Sequence, residues 1–265
     1  MARKKHKLTI RLLVQVLCLL ASAVVLGIII NGYKAAIHAL CPYSSVCFGL
    51  SPQGFFNVCL GAFWLSALLG VLFLFYSIIF GRVFCGYICP LGTIQEALFS
   101  FRNAKYKKTH KISYFYERRF ARLKYLVLIV TMLLSIFGIA YVFIRLCPIY
   151  ALSQLPALAI PGLIVFLLIM GIGIFIERFW CRFLCPYAGL LNVFQALGAL
   201  AGIRRRKIRR NLERCIDCGL CDINCPMNLY ITEHEFVQDV DCIHCNACAQ
   251  CCPKPGTICC EKEPC

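Results

Sequence analysis

Acidic residues are scarce through most of this chain: residues 1–214 carry 4 Asp and Glu against 26 Lys and Arg. Charged residues make up only 15% of the 265, and hydrophobic residues 60%. Ordinary soluble domains have about 25% charged and 45–50% apolar residues. The composition therefore excludes an ordinary soluble enzyme, a disordered chain and a collagen-like one. Helix-turn-helix, zinc-finger and aromatic RNA-binding signatures are missing, so the net charge of +16 does not mark a nucleic-acid binder. No small-x-small cleavage site follows the first apolar stretch, in Asn31-Gly32-Tyr33-Lys34, which argues for an anchor over a cleaved signal peptide. No acidic residue lies in the middle of an apolar stretch, which argues against an ion transporter. His6, His38, His110, His234 and His244 show no ligand spacing with one another.

What is present is apolar sequence in long runs. Four uncharged stretches, 12–30, 59–80, 125–144 and 157–176, are each near the roughly 20 residues that cross a bilayer. The 81–124 connection holds ten Lys and Arg, whereas Lys34 and Arg145 are alone in the 31–58 and 145–160 connections. The positive-inside rule then puts both termini and the 81–124 connection in the cytoplasm. The expected fold is an α-helical membrane protein with four transmembrane helices, in the cytoplasmic (inner) membrane, with a small α+β domain at the C-terminus. Residues 183–203 are also uncharged, but Pro186, Asn192, Gln195 and the following basic run argue for a helix at the cytoplasmic interface.

The chain repeats itself. Arg82-Val-Phe-Cys85-Gly-Tyr-Ile-Cys89-Pro90 matches Arg178-Phe-Trp-Cys181-Arg-Phe-Leu-Cys185-Pro186 at an offset of 96. A Leu-Cys-Pro precedes each copy, at Cys41 and Cys147, on the expected outer side. Both copies have one orientation, so the units at about 41–101 and 147–200 form a two-fold parallel repeat. The expected domains are a membrane part at 1–203, a basic linker at 204–214 and a tail at 215–265.

Cysteine is abundant, and 12 of the 21 lie in the tail, which also carries 8 Asp and Glu against 2 Lys. Cys215-x2-Cys218-x2-Cys221-x3-Cys225-Pro226 is followed by Cys242-x2-Cys245-x2-Cys248-x3-Cys252-Pro253. Two such runs are the signature of a dicluster ferredoxin, in which the fourth cysteine of each run serves the other cluster. The expected ligands are Cys215, Cys218, Cys221 and Cys252 for one [4Fe–4S] cluster, and Cys242, Cys245, Cys248 and Cys225 for the second. Zinc sites prefer cysteine pairs separated by a dozen or more residues, and disulfides are disfavoured in a cytoplasmic tail. Cys251, Cys259, Cys260 and Cys265 fall outside the pattern and read as spare thiols.

Taken together, the Cys85–Gly92 and Cys181–Pro186 motifs and the two tail runs resemble the NapH-type membrane ferredoxin family. The chain is also similar to the membrane and ferredoxin parts of NosR and of the CcoG/FixG/RdxA proteins. The resemblance spans most of the chain, and implies electron transfer between a membrane donor such as quinol and a redox partner protein. It also offers a copper-reducing role, while a redox-sensing assembly factor is a further alternative. A subunit of a larger oxidoreductase system is expected, not a stand-alone enzyme.

The remaining thiols have two readings each. Cys85, Cys89, Cys181 and Cys185 either form a third iron–sulfur or metal centre, with Arg82 and Arg178 offsetting its charge, or shape two helix ends. Cys41, Cys47 and Cys147 either hold an outer site or form a disulfide. Cys18 and Cys59 read as packing residues. His38 reads as a surface residue or a quinol proton acceptor, and His244 as a residue that tunes a cluster. Glu96 reads as an ordinary amphipathic-helix residue, and Arg204–Arg210 as a lipid-headgroup or partner contact.

Overall fold

The computed structural model describes residues 10–24, 41–43, 46, 50, 64–101, 113–139, 143, 146–148, 160–203 and 205–260. Its helical body contains α1 (residues 10–24), α2 (Trp64–Phe80), α3 (Val83–Tyr87), α4 (Pro90–Ser100), α5 (Tyr114–Ala121), α6 (Leu123–Ile136) and α7 (Ile160–Phe175). A π-helical turn (Trp180–Leu184) and α8 (Pro186–Leu200) complete the body. The tail has β1 (Ile208–Arg210), α9 (Leu220–Ile223), β2 (Phe236–Val237), α10 (Ala247–Cys251) and β3 (Ile258–Cys260). Its antiparallel sheet has the order β2-β1-β3, with Ile208 opposite both Val237 and Cys260. The central strand thus comes from the basic stretch that precedes the cysteine runs. Ile208 and Arg210 face inward, and Arg209 lies over the Phe236 ring at 5.7 Å.

The expectation of four transmembrane helices is corrected by this structure. Among the described residues, no helix is long and apolar enough to cross a membrane. The helices α2, α6 and α7 have 17, 14 and 16 residues. At 1.5 Å per residue their described parts measure about 26, 21 and 24 Å, against a hydrocarbon core of ~30 Å. Hydropathy marks where charge is absent, whereas backbone chemistry decides where a helix ends. The helix α6 stops at Ile136 because Gly138 turns left-handed at φ 73°. The Ile139 N–H then donates to the Leu134 carbonyl at 2.8 Å and the Gly138 N–H to Ser135 at 3.0 Å, a Schellman closure. Residues 25–30, 59–63, 140–142, 144 and 157–159 of the expected stretches lie outside the described residues.

The helix α8, expected at an interface, is instead central. It packs between α2 and α6, and Ala188, Leu191, Asn192 and Gln195 are all buried. Its approach to α2 is close: a Cβ at Gly198 would stand 2.4 Å from Ile78 Cγ2.

Polarity in the body is inverted relative to an ordinary globular protein. Arg82, Lys124, Arg178, Gln95, Asn192 and Gln195 are buried, while Leu72, Phe75, Ile129, Leu133, Leu167 and Leu168 face outward.

Candidate functional site

The two cysteine runs enclose two separate cavities. One is lined by Cys215, Cys218, Cys221 and Cys252, with Arg214, Thr232 and Thr257 at its walls. The other is lined by Cys225, Cys242, Cys245 and Cys248, with Ile208, Leu229 and Ile243. Each cavity therefore takes three cysteines from one run and the fourth from the other.

The loops that present them have matching backbones. Asp217 (φ 48°) and Gly219 (φ 67°) are left-handed in the first loop, His244 (φ 49°) and Asn246 (φ 59°) in the second. These are the second and fourth residues after Cys215 and Cys242. Alternation of right- and left-handed residues turns successive N–H groups into a concavity of the kind that surrounds anions and iron–sulfur clusters. Gly219 and Asn246 also cap α9 and α10, short helices that carry the third cysteine of each run.

These donors and cavities fit a cluster better than a single ion. Four thiolates about 2.3 Å from one zinc would stand roughly 3.8 Å apart. Among the described residues, no three or more Cys, His, Asp or Glu side chains gather closely enough to hold one metal ion. A cubane takes one thiolate per iron and spreads the sulfurs further. Burial pushes the thiols of Cys242, Cys245 and Cys248 up, and that of Cys221 up to about 12. Ligation is what favours the thiolate in such surroundings. Arg210 Nη1 donates to Cys215 Sγ at 3.4 Å and to Asp217 Oδ1 at 2.6 Å, and the Leu229 N–H donates to Cys225 Sγ at 3.4 Å. Cys259 is disulfide-bonded rather than a spare thiol.

In the body, the two CxxxCP motifs meet. Cys89 and Cys185 have nearly the same backbone, φ −65°, ψ 113° and φ −69°, ψ 113°. Each caps the helix that its proline starts, because the residue before proline is held extended and proline suits the first helical position. Cys181 lies close to Cys89, which pushes the Cys181 thiol up, with burial adding to the effect. Cys85 and Cys185 lie close enough for their charges to act on each other and on Cys181. All four residues belong to the buried surroundings of Tyr187 and Leu91. The Tyr187 hydroxyl is buried among these thiols without a hydrogen-bond partner among the described residues. An orphaned donor beside four converging thiols fits an anionic group held there.

Two fully buried guanidinium groups cross between the motifs. Arg82 Nη2 donates to the Cys181 carbonyl at 2.9 Å, and Arg178 Nη1 donates to the Cys85 carbonyl. Each motif arginine thus holds the first cysteine of the other motif. Arg178 also pairs with Glu96, which accepts two bonds from Arg11 at 2.7 Å. Glu96 is therefore an ion-pair hub and not an ordinary amphipathic-helix residue. Arg82 pairs with Asp241, as does Lys124.

The other sequence candidates scatter. Cys41 is near Tyr187, the same residue that Cys85 and Cys185 approach, and Cys147 is buried. Cys18 is half-buried on α1. Cys47, Cys59, His6, His38, His110 and Arg204 lie outside the described residues. His244 is kept neutral, its pKa lowered to about 4 by burial and by Arg206 and Arg205. The basic run is divided: Arg209 pairs with Glu235 at 3.6 Å, while Arg210 turns inward to Cys215. Sequence reasoning missed Asp241, Lys124 and Glu117, and read Arg210 as part of a surface run rather than as a donor to Cys215. The only linear signal was the position of Asp241 and Asp217 beside cluster-type cysteines.

The family described as a 4Fe-4S binding domain matches residues 52–109 and 158–211. These two segments contain the CxxxCP motifs rather than the tail runs. An uncharacterised protein of Methanocaldococcus jannaschii is 31% identical over 67% of this chain and 71% of its own length. YccM of Escherichia coli, named for electron transport, is 29% identical over 73% of this chain and 55% of its own. The ferredoxin-type protein NapH of Haemophilus influenzae is 28% identical over 69% and 63%. No solved structure matches.

Proposed function

Because the chain belongs to the NapH-type family of iron–sulfur electron-transfer proteins, we propose that it relays electrons between a membrane donor, such as quinol, and a redox partner protein. Two [4Fe–4S] clusters occupy the tail in this reading, held by Cys215, Cys218, Cys221 and Cys252, and by Cys225, Cys242, Cys245 and Cys248. A third iron–sulfur centre sits at Cys85, Cys89, Cys181 and Cys185. Each centre supplies a one-electron step when bound. The chain's own part is to hold the thiolates, exclude water and set the local charge.

The observation that carries this reading is the division of the eight tail cysteines between two cavities, three from one run and one from the other in each. The location of the family match on the CxxxCP repeats supports the third centre. The outward apolar side chains of α2, α6 and α7 support an association with lipid.

Iron and acid-labile sulfide, measured after anaerobic purification, test the count. About eight of each corresponds to two cubanes and no third centre, and about ten to twelve to a third. Cys252→Ser distinguishes the crossed ligation. It should abolish the signal that Cys218→Ser also abolishes, and leave the signal that depends on Cys245. Loss of the Cys245-dependent signal instead would refute the crossing. Reduction of the centres by a quinol analogue tests the donor, and no reduction would remove quinol while leaving the relay.

A further inference from the structure

The offset of 96 that superposes Arg82 on Arg178 and Cys85 on Cys181 also superposes Glu96 on Asn192. Among the differences between the two repeats, this one removes a carboxylate from the second. In the first arrangement Arg178 finds its carboxylate within the body, on Glu96. In the second, the equivalent position holds an amide, Asn192. The carboxylate comes from Asp241 in the tail, immediately before Cys242. Asn192 Nδ2 donates to the same Asp241 oxygen at 2.9 Å, and Lys124 completes the set.

We propose that Asp241 is the key by which the ferredoxin tail docks on the body. In this arrangement the Cys225/Cys242/Cys245/Cys248 site faces the four body thiols, and the Cys215/Cys218/Cys221/Cys252 site faces an external partner. The docking stands on contacts alone, while the electron order rests on the proposed function.

A continuous foot of the tail, residues 239–244, makes the contact. Asp239 faces Arg118 at 3.7 Å, and the Val240 carbonyl accepts from Gln195 Nε2 at 3.3 Å. The Ile243 carbonyl lies against Gly86, where a Cβ would come within 2.8 Å of it. His244 lies against Gly81, whose φ of 69° already favours glycine, and a Cβ there would be 2.8 Å from Nε2. The His244 carbonyl accepts from the Tyr87 hydroxyl at 3.4 Å. Gly86 lies directly after Cys85, so the loop carrying Cys242 and Cys245 is seated on the first CxxxCP motif. Cys245 is close enough to feel the charges of Arg11, Arg178 and Glu96. The first loop is placed differently: Cys218 is exposed, and Arg210 of β1 covers Cys215.

The charges explain why an asparagine stands at 192. Arg82 and Lys124 are both fully buried and share one carboxylate. An aspartate at 192 would satisfy them without the tail. An amide leaves the pair unsatisfied until Asp241 arrives, and then adds a donor to it. Removing one partner of a buried ion pair is strongly unfavourable, so the body holds the tail by its own incompleteness.

Hydrogen exchange on the full-length protein tests this, with iron content measured in parallel. Asp241→Asn should raise exchange in 239–244 by on the order of 100-fold or more, leaving the 215–221 loop and the iron content as they were. The double variant Asp241→Asn with Asn192→Asp moves the carboxylate into the body. It should restore the thermal stability of the body while the foot stays open. Gly86→Ala, which alters no charge, should open the same segment and keeps the test available if Asp241→Asn does not fold. In Asp241→Asn the electron paramagnetic resonance signal that Cys248→Ser abolishes should shift, and the one that Cys218→Ser abolishes should not. Unchanged exchange in both Asp241→Asn and Gly86→Ala would overturn the docking, as would renewed protection of the foot in the double variant. A shift confined to the Cys218-dependent signal would overturn the cluster order. Protein without iron would refute the proposed function, while the exchange arms would still decide the docking.

Discussion

Arg210 gives the most direct handle on cluster chemistry. Its side chain is buried, unlike that of its partner Asp217, which is 72% exposed. It donates to Cys215 Sγ at 3.4 Å as well as to Asp217. Reduction of a thiolate-ligated cluster adds negative charge near this guanidinium. Arg210→Gln should therefore destabilise the reduced form and lower the potential. A unit charge about 6.5 Å from the added electron is worth ~2.6 kcal/mol at an effective dielectric of 20. Asp217 carries the opposite charge and offsets part of this, leaving about 1–2 kcal/mol. At 59 mV per tenfold change for one electron, the potential falls by roughly 40–90 mV. Asp217→Asn should move it the other way by less, since an exposed carboxylate is already screened by water. The assay is a redox titration followed by electron paramagnetic resonance, with Cys218→Ser identifying which signal belongs to this site. An unchanged or raised potential in Arg210→Gln, with iron content intact, would refute the reasoning.

Two further substitutions probe the frame that holds the sites. Gly198→Ala forces a methyl into Ile78, 2.4 Å from the Cβ position, and should cost about 1–3 kcal/mol by prying α8 from α2; thermal unfolding measures it. Glu117→Gln removes the carboxylate that accepts from buried Arg182 at 2.8 Å and from Asn228 of the tail at 3.3 Å. It should cost about 3–5 kcal/mol, read by denaturant unfolding, and a loss below 1 kcal/mol would show that Arg182 finds other acceptors.

The parts of this molecule written locally in the sequence were legible there. The spacing of the two cysteine runs anticipates which four thiols line each cavity, because a tight loop can present only three. The offset of 96 anticipates that Cys85, Cys89, Cys181 and Cys185 converge. Helix extent was not legible in the same way: an uncharged run says nothing of Gly138, whose left-handed turn ends α6 eight residues before the run does. The helix α8 was read from Pro186, Asn192, Gln195 and the basic run after it, and none of these shows what its polar residues meet. Asn192 and Gln195 are both buried, meeting Asp241 and the Val240 carbonyl of the tail. Such partners are dozens of residues away, and composition cannot supply them.

Charge was the feature most easily misread from sequence, since basic residues between apolar runs suggest solvated loops. The structure draws several of them inward, in a pattern that repeats. On one side of the four body thiols, Glu96 is shared by Arg178 and Arg11; on the other, Asp241 is shared by Arg82 and Lys124. Each side is two cations against one carboxylate. Burial opposes the charge on Arg82, yet Cys85, Asp241 and Cys181 around it hold it above its usual value, and Glu96 and Cys181 do the same for Arg178. An uncompensated positive charge on each flank would be costly around four neutral thiols. Around thiolates holding an iron–sulfur centre it is matched. The second cations come from unrelated positions, α1 and α6, so the match is not inherited from the repeat itself. Two different routes reach the same local balance, which is expected if the anion between them is what the balance serves.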